Sequence, residues 1–170
     1  SDGQYVVSTN FIVTVSAVND APTITGITNQ TIDEDAPTAA LSFTVGDAET
    51  AAGSLTLRKG SSNPTLVPTN SIVFGGSGAN RTETVSPATN QSGSATITVS
   101  VSDGQYVVST NFVVTVSAVN DAPTITSIAN QTINVGTTTG PLAFTIGDVD
   151  TTVGSLTLSQ GSSNPTLVPL

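Results

Sequence analysis

Residues 95–126 read ATITVSVSDGQYVVSTNFVVTVSAVNDAPTIT, and the architecture can be worked outward from them. ATITVSVS (95–102) alternates strictly, with Ala95, Ile97, Val99 and Val101 on one face. NFVVTVS (111–117) alternates as well, placing Phe112, Val114 and Val116 together. A period of two in β-branched residues is the mark of a strand with one buried face. Asp103-Gly104 lies between the two runs and reads as the loop that joins them. The stretch closes on VNDAPTIT (119–126), whose Pro123 biases the residue before it toward extended backbone.

VNDAPTIT also occurs at 18–25, and the likeness reaches much further. Residues 1–69 align with 102–170 without a gap, and 50 of the 69 positions are identical. A fixed period of 101 residues without insertions means one structural unit copied in tandem. Solenoid repeats are far shorter, and a unit of this length suits one β-sandwich domain. Strand-like runs recur within it at 22–27, 41–45, 54–57, 71–74, 81–85, 95–102 and 111–117, here lettered A to G. Gly, Asn, Asp and Pro punctuate them, and helical spacing is nowhere sustained. The expected fold is all-β, a series of seven-stranded Greek-key sandwiches. Residues 1–20 read as the last strand of a preceding repeat. Residues 21–121 form one whole repeat, and 122–170 form strands A to C of the next. The chain starts in mid-pattern without a signal peptide, so it is expected to be a piece of something longer. A half-sandwich exposes bare strand edges, and segments 1–20 and 122–170 carry complementary strands able to pair between neighbouring chains.

Composition narrows the function. The chain has 170 residues, 36% hydrophobic and 9% charged, with a net charge of −9. Its basic residues are Arg58, Lys59 and Arg81 alone, too few for a phosphate-binding face, so nucleic acid is not an expected partner. No apolar run approaches the length needed to span a bilayer. Cys and His are absent, which removes disulfides, thiol nucleophiles and the usual general base. Asp47 and Glu49 could imitate a glycosidase pair, but Trp is absent and Tyr5 and Tyr106 are the only tyrosines to build a sugar cleft. No enzymatic activity is expected.

The acids are placed with more system than the rest. Only Glu83 falls in the middle of an expected strand. In a sandwich whose strands alternate in direction, Asp20 enters strand A at the same end where Asp47 and Glu49 leave strand B and Asp103 leaves strand F. Asp33, Glu34 and Asp35 fall at the opposite end, where Asn120 and Asp121 lead into the next repeat and Asp148 and Asp150 face them. Crowded carboxylates repel, and a hard divalent cation removes that cost. Calcium takes six to eight oxygens from carboxylates, Asn and backbone carbonyls. The competing reading is plain turn chemistry, with Asp and Asn closing Asx turns in solvated loops.

These residues resemble the cadherin-type repeat, and more closely the bacterial tandem repeats of about one hundred residues with a VNDAP junction. The resemblance implies an Ig-like, cadherin-like sandwich with calcium held between modules. Its ligands are implied to be Asn19, Asp20, Asp47, Glu49 and Asp103 at one junction, and Glu34, Asn120, Asp121, Asp148 and Asp150 at the next. It departs from the pattern where Ser16 and Ala17 replace the leading Asp of the linker, and where DEDAP (33–37) becomes NVGTT (134–138) in the second copy. The role implied is an extracellular stalk or spacer on a bacterial surface, with neighbouring repeats as its first partners. Surface polysaccharide, or like chains sharing strands, are the alternative partners.

Three further signals are weaker. GGSGAN (75–80) resembles a single calcium-binding nonapeptide of β-rolls, and reads better as a D–E hairpin. Asn29, Asn80, Asn90 and Asn130 head N-glycosylation sequons, tripeptides that arise often by chance in a chain this rich in Thr and Asn. Lys59 could in principle form an isopeptide with an Asn, but its counterpart is Gln160, and it reads as a solvated strand residue.

Overall fold

The computed structural model describes residues 2–169. Ten strands form. Eight belong to the central repeat: β1 (Thr23–Ile24), β2 (Gln30–Asp33), β3 (Leu41–Gly46), β4 (Thr56–Ser61), β5 (Ile72–Ser77), β6 (Asn80–Val85), β7 (Gly93–Ser102) and β8 (Val107–Ser117). Two short ones follow, β9 (Thr124–Ile125) and β10 (Ile146–Gly147). One sheet has the order β1-β3-β6-β5 and the other β2-β8-β7-β4. All pairs are antiparallel except β2 with β8. Two sheets in this order, with the first strand shared between them, make an Ig-like sandwich.

The inward positions of the alternating runs meet between the sheets. Ala95, Ile97, Val99 and Val101 are buried, and so are Phe112, Val114 and Val116 from the neighbouring strand. Phe43, Val45, Ile72 and Val85 come from the facing sheet. Leu66 and Val67 plug the core from a loop, where Asn63 caps the backbone N–H of Leu66 at 3.2 Å.

The expectation of seven strands misses how the first one divides. β1 pairs with β3, while β2, a few residues on, pairs with β8 in the other sheet. The crossing needs a polar anchor, and Asn29 supplies it by accepting a hydrogen bond from the Val113 N–H at 2.8 Å. Strand C lies later than expected, at β4 rather than 54–57, because its pairing with β7 runs from Thr56 to Ser61. GGSGAN forms the β5–β6 hairpin. Gly76 stands there at φ +77°, where an added Cβ would lie 2.4 Å from the Asn80 carbonyl oxygen.

Outside the central repeat the expected strands are mostly absent. Among the described residues, 2–20 contain no strand. Among the described residues, those from 122 onward form no strands but β9 and β10, paired to each other. The stretch equivalent to strand C, around 157–162, stays unpaired. The reason is the lack of ladder partners. Residues 1–20 correspond to 102–121 and hold no counterpart of β2 or β7. Residues 122–170 correspond to 21–69 and hold counterparts of β1 to β4 alone.

Candidate functional site at the repeat seam

The seam is built the same way twice. Asp47 follows β3 and turns the chain by accepting hydrogen bonds from the N–H groups of Glu49 (3.0 Å) and Thr50 (2.6 Å) on Oδ1. Asp148 follows β10 and does the same with Asp150 (3.0 Å) and Thr151 (2.6 Å). This is an Asx turn, set by residues two and three apart. It presents the next acid to the linker. Glu49 accepts the N–H of Asp20 at 3.0 Å, and Asp150 accepts the N–H of Asp121 at 2.6 Å. Asn19 and Asn120 each fold their side-chain amide onto the following carbonyl, at 3.1 and 2.8 Å.

At the first seam the structure adds Asp103 from the β7–β8 loop. Its Oδ2 accepts the Asn19 side-chain amide at 2.7 Å, and its Oδ1 accepts the N–H groups of Gln105 and Tyr106. The Asn19 amide, followed by the Tyr106 amide, holds the Asp103 carboxyl below its ordinary range, since both favour the ionised form. Asp47 Oδ2 is buried and has no hydrogen-bond partner. A buried carboxylate oxygen without a partner is costly and calls for a compensating group.

At the second seam Glu34 is buried, and its Oε1 accepts the Val119 N–H at 2.7 Å just ahead of Asn120 and Asp121. Asp35 stands at φ +61° and accepts the Asn90 N–H at 2.9 Å, so it braces a loop of its own repeat. Asp33 pairs as the last residue of β2.

Direct hydrogen bonds therefore join Asn19 to Asp103, Asp20 to Glu49, and Asp121 to Asp150, and bring Glu34 to the linker at Val119. They do not gather three acidic side chains. Among the described residues no group of three or more His, Cys, Asp or Glu is close enough to hold a metal ion as it stands. The donor at the heart of the first seam is instead the Asn19 amide.

Two polar features escaped the sequence reading. Lys59 is not simply solvated, because its Nζ donates to the Ile72 carbonyl across the open edge between the sheets. Glu83 is fully buried, and neither of its carboxyl oxygens has a hydrogen-bond partner. Its position at an inward register of a strand was the available signal. Of the sequon residues, Asn29 is engaged with Val113, and Asn80 begins β6 beside the hairpin turn. Asn90 stands at φ +55°, and Asn130 lies exposed in the second repeat.

No family model matches the chain, and no curated protein matches it. Among solved structures it is similar to a chimeric titin Z1Z2, at 12% identity and TM-score 0.45, over 60% of this chain and 99% of that one. It is similar to tandem Ig repeats of Dlar, at 18% identity and TM-score 0.43, over 64% of this chain and 55% of that one. It is also similar to domains 4 and 5 of the S-layer protein SbsC, at 23% identity and TM-score 0.42, over 61% of this chain and 57% of that one. Likenesses this low say nothing of chemistry or partners. No helix among the described residues is long and apolar enough to cross a membrane.

Proposed function

We infer that the chain is a spacer segment of an extracellular repeat protein, in which Ig-like modules stack end to end and calcium stiffens their seams. Its role is mechanical. Each module sets a distance, and the seam sets the angle between modules. Repetition of the linker hydrogen bonds at a period of 101 residues supports a defined geometry between repeats rather than a loose tether. The cation reading rests on one observation above the others, the buried and unpartnered Asp47 Oδ2. Asn19, Asp20, Asp47, Glu49 and Asp103 would hold an ion at the first seam. Glu34, Asn120, Asp121, Asp148 and Asp150 would hold one at the second. The oxygen-rich set suits calcium, and binding would require the Asn19 side chain, whose NH₂ donates to Asp103, to offer its amide oxygen instead. The ion supplies positive charge that gathers acids otherwise kept apart by repulsion.

The test is thermal melting and small-angle scattering in millimolar calcium against EDTA. For affinities in the millimolar range of extracellular modules, tenfold excess calcium adds about 1.4 kcal/mol, a rise of about 5 °C or more. Asp47→Asn should remove most of that rise. Indifference of both measurements to calcium would refute the metal reading and leave the spacer reading standing.

A further inference from the structure

We propose that the open edge of β5 is a pairing site for a second copy of this chain, the two β5 strands meeting antiparallel across a two-fold axis. The edge belongs to the central repeat. β5 ends its sheet, and among the described residues no strand lies against its outer side. It is firmly held. Ile72 is fully buried, and the Phe74 ring meets Phe43 edge-on at 6.2 Å.

Alternation divides the backbone groups of this strand. The Ser71 carbonyl accepts the Ser86 N–H at 3.1 Å, so residues 71, 73, 75 and 77 face β6. Ile72, Phe74 and Gly76 therefore turn their N–H and C=O groups outward. Those of Ile72 are already used, its N–H by the Thr69 carbonyl and its C=O by Lys59 Nζ. Phe74 and Gly76 are left with one donor and one acceptor each. Such an edge is a template for another strand. The other edges are guarded, since β1 has two residues, β2 ends on Asp33, and β4 carries Arg58 and Lys59. Residues 71–78 carry no charge, and Val73 among them is 58% exposed.

The spacing of the free groups selects the occupant. Facing residues of antiparallel strands exchange both of their hydrogen bonds. A two-fold axis through Gly75 sets Phe74 of each copy against Gly76 of the other, and every free group is used. Gly75 meets Gly75 with no side chain between them. Lys59 bounds the open stretch on one side and the turn at Gly78 on the other, so its own copy fills its length. Two chains of net charge −9 repel, but this contact brings no exposed acids together, because Glu83 on β6 is buried. An isologous contact closes on a pair. The paired modules run in opposite directions. On the spacer reading this suits stalks that meet from facing surfaces, and the pairing itself does not depend on that reading.

The test uses the full chain in EDTA, so its outcome is independent of the calcium reading. The sequence contains no Cys, and introduced thiols report cleanly. Val73 of one copy faces Ser77 of the other at a close, non-hydrogen-bonded position. Within one strand the two lie about 13 Å apart, too far for a disulfide. Under mild oxidation, Val73→Cys mixed with Ser77→Cys should give disulfide dimers at least about fivefold more abundant than either variant alone. Sedimentation velocity of the unaltered chain should show mass rising between about 10 and 500 µM and levelling at a dimer. Val73→Lys puts a charge on the edge and should weaken that association by at least about tenfold, while leaving the melting of the dilute protein unchanged. Cross-linking no greater in the mixture than in either variant alone would overturn the proposal. So would a monomer at every concentration, growth past a dimer, or association indifferent to Val73→Lys.

Discussion

Glu83 is the most unusual single residue. It is wholly buried in β6, flanked on the neighbouring strands by Leu41 and Phe74, and its carboxyl has no hydrogen-bond partner. Burial pushes its pKa up to about 7, against a smaller opposing pull from Lys59. The neutral acid is the form the core tolerates, and the unfolded chain releases its proton at a lower pH than the folded one. Stability is therefore highest below the unfolded value near 4.5 and falls as pH rises toward 7. We expect a loss of about 1–3 kcal/mol between pH 4.5 and pH 8, read from urea unfolding. Glu83→Gln should flatten the profile. With no histidine in the chain, few other groups titrate in that window. A profile that stays level or climbs over that range in the unaltered protein would contradict the assignment.

At the scale of elements, the chain contains its own control. SDGQYVVSTNF occurs at 1–11 and at 102–112, yet Phe112 is 2% exposed and Phe11 is 86% exposed. Truncating Phe112 leaves a cavity between the sheets, so Phe112→Ala should cost about 3–5 kcal/mol. Phe11→Ala, measured at low concentration, should fall within about 0.5 kcal/mol of the unaltered protein. Urea midpoints of the two variants decide it, and equal losses would mean that the amino-terminal copy is packed after all. Most of the central repeat was legible at this scale. The inward residues of β3, β5, β7 and β8 follow from alternation alone. The division of the first strand was not legible. Whether residues 30–33 continue beside β3 or cross to β8 depends on which edge is open, and no local pattern encodes that.

For the whole molecule, order should be distributed unevenly. Amide hydrogen exchange at low micromolar concentration should protect Val107–Ser117 strongly, because β8 is bonded on both sides, by β2 and β7. The equivalent residues 6–16 should exchange at close to the unfolded rate. Protection of 6–16 as strong as that of β8 would show that the segment is paired within its own chain. The candidate site was partly legible at this scale. Strand parity brings Asp20, Asp47, Glu49 and Asp103 to one end, and the hydrogen bonds among Asn19, Asp20, Glu49 and Asp103 agree. Parity could not show that the contact there is an Asn19 amide rather than a ring of acids. It also could not show that Glu34 is held by the Val119 backbone.

The two copies separate what local sequence determines from what tertiary structure decides. Asp2 accepts the N–H groups of Gln4 and Tyr5, and Asp103 those of Gln105 and Tyr106. Asp47 and Asp148 make the same turn, and Asn63 and Asn164 cap the same loop. These bonds join residues two or three apart, so the sequence carries them into any surroundings. Strands differ. Gln30–Asp33 and Val107–Ser117 are strands, while 131–134 and 6–16, almost the same in sequence, are not. A ladder bond needs a partner from far along the chain and an apolar face to bury. Sequence alone therefore set the turns and the alternation, and the presence of a neighbouring strand decided which runs became a sheet.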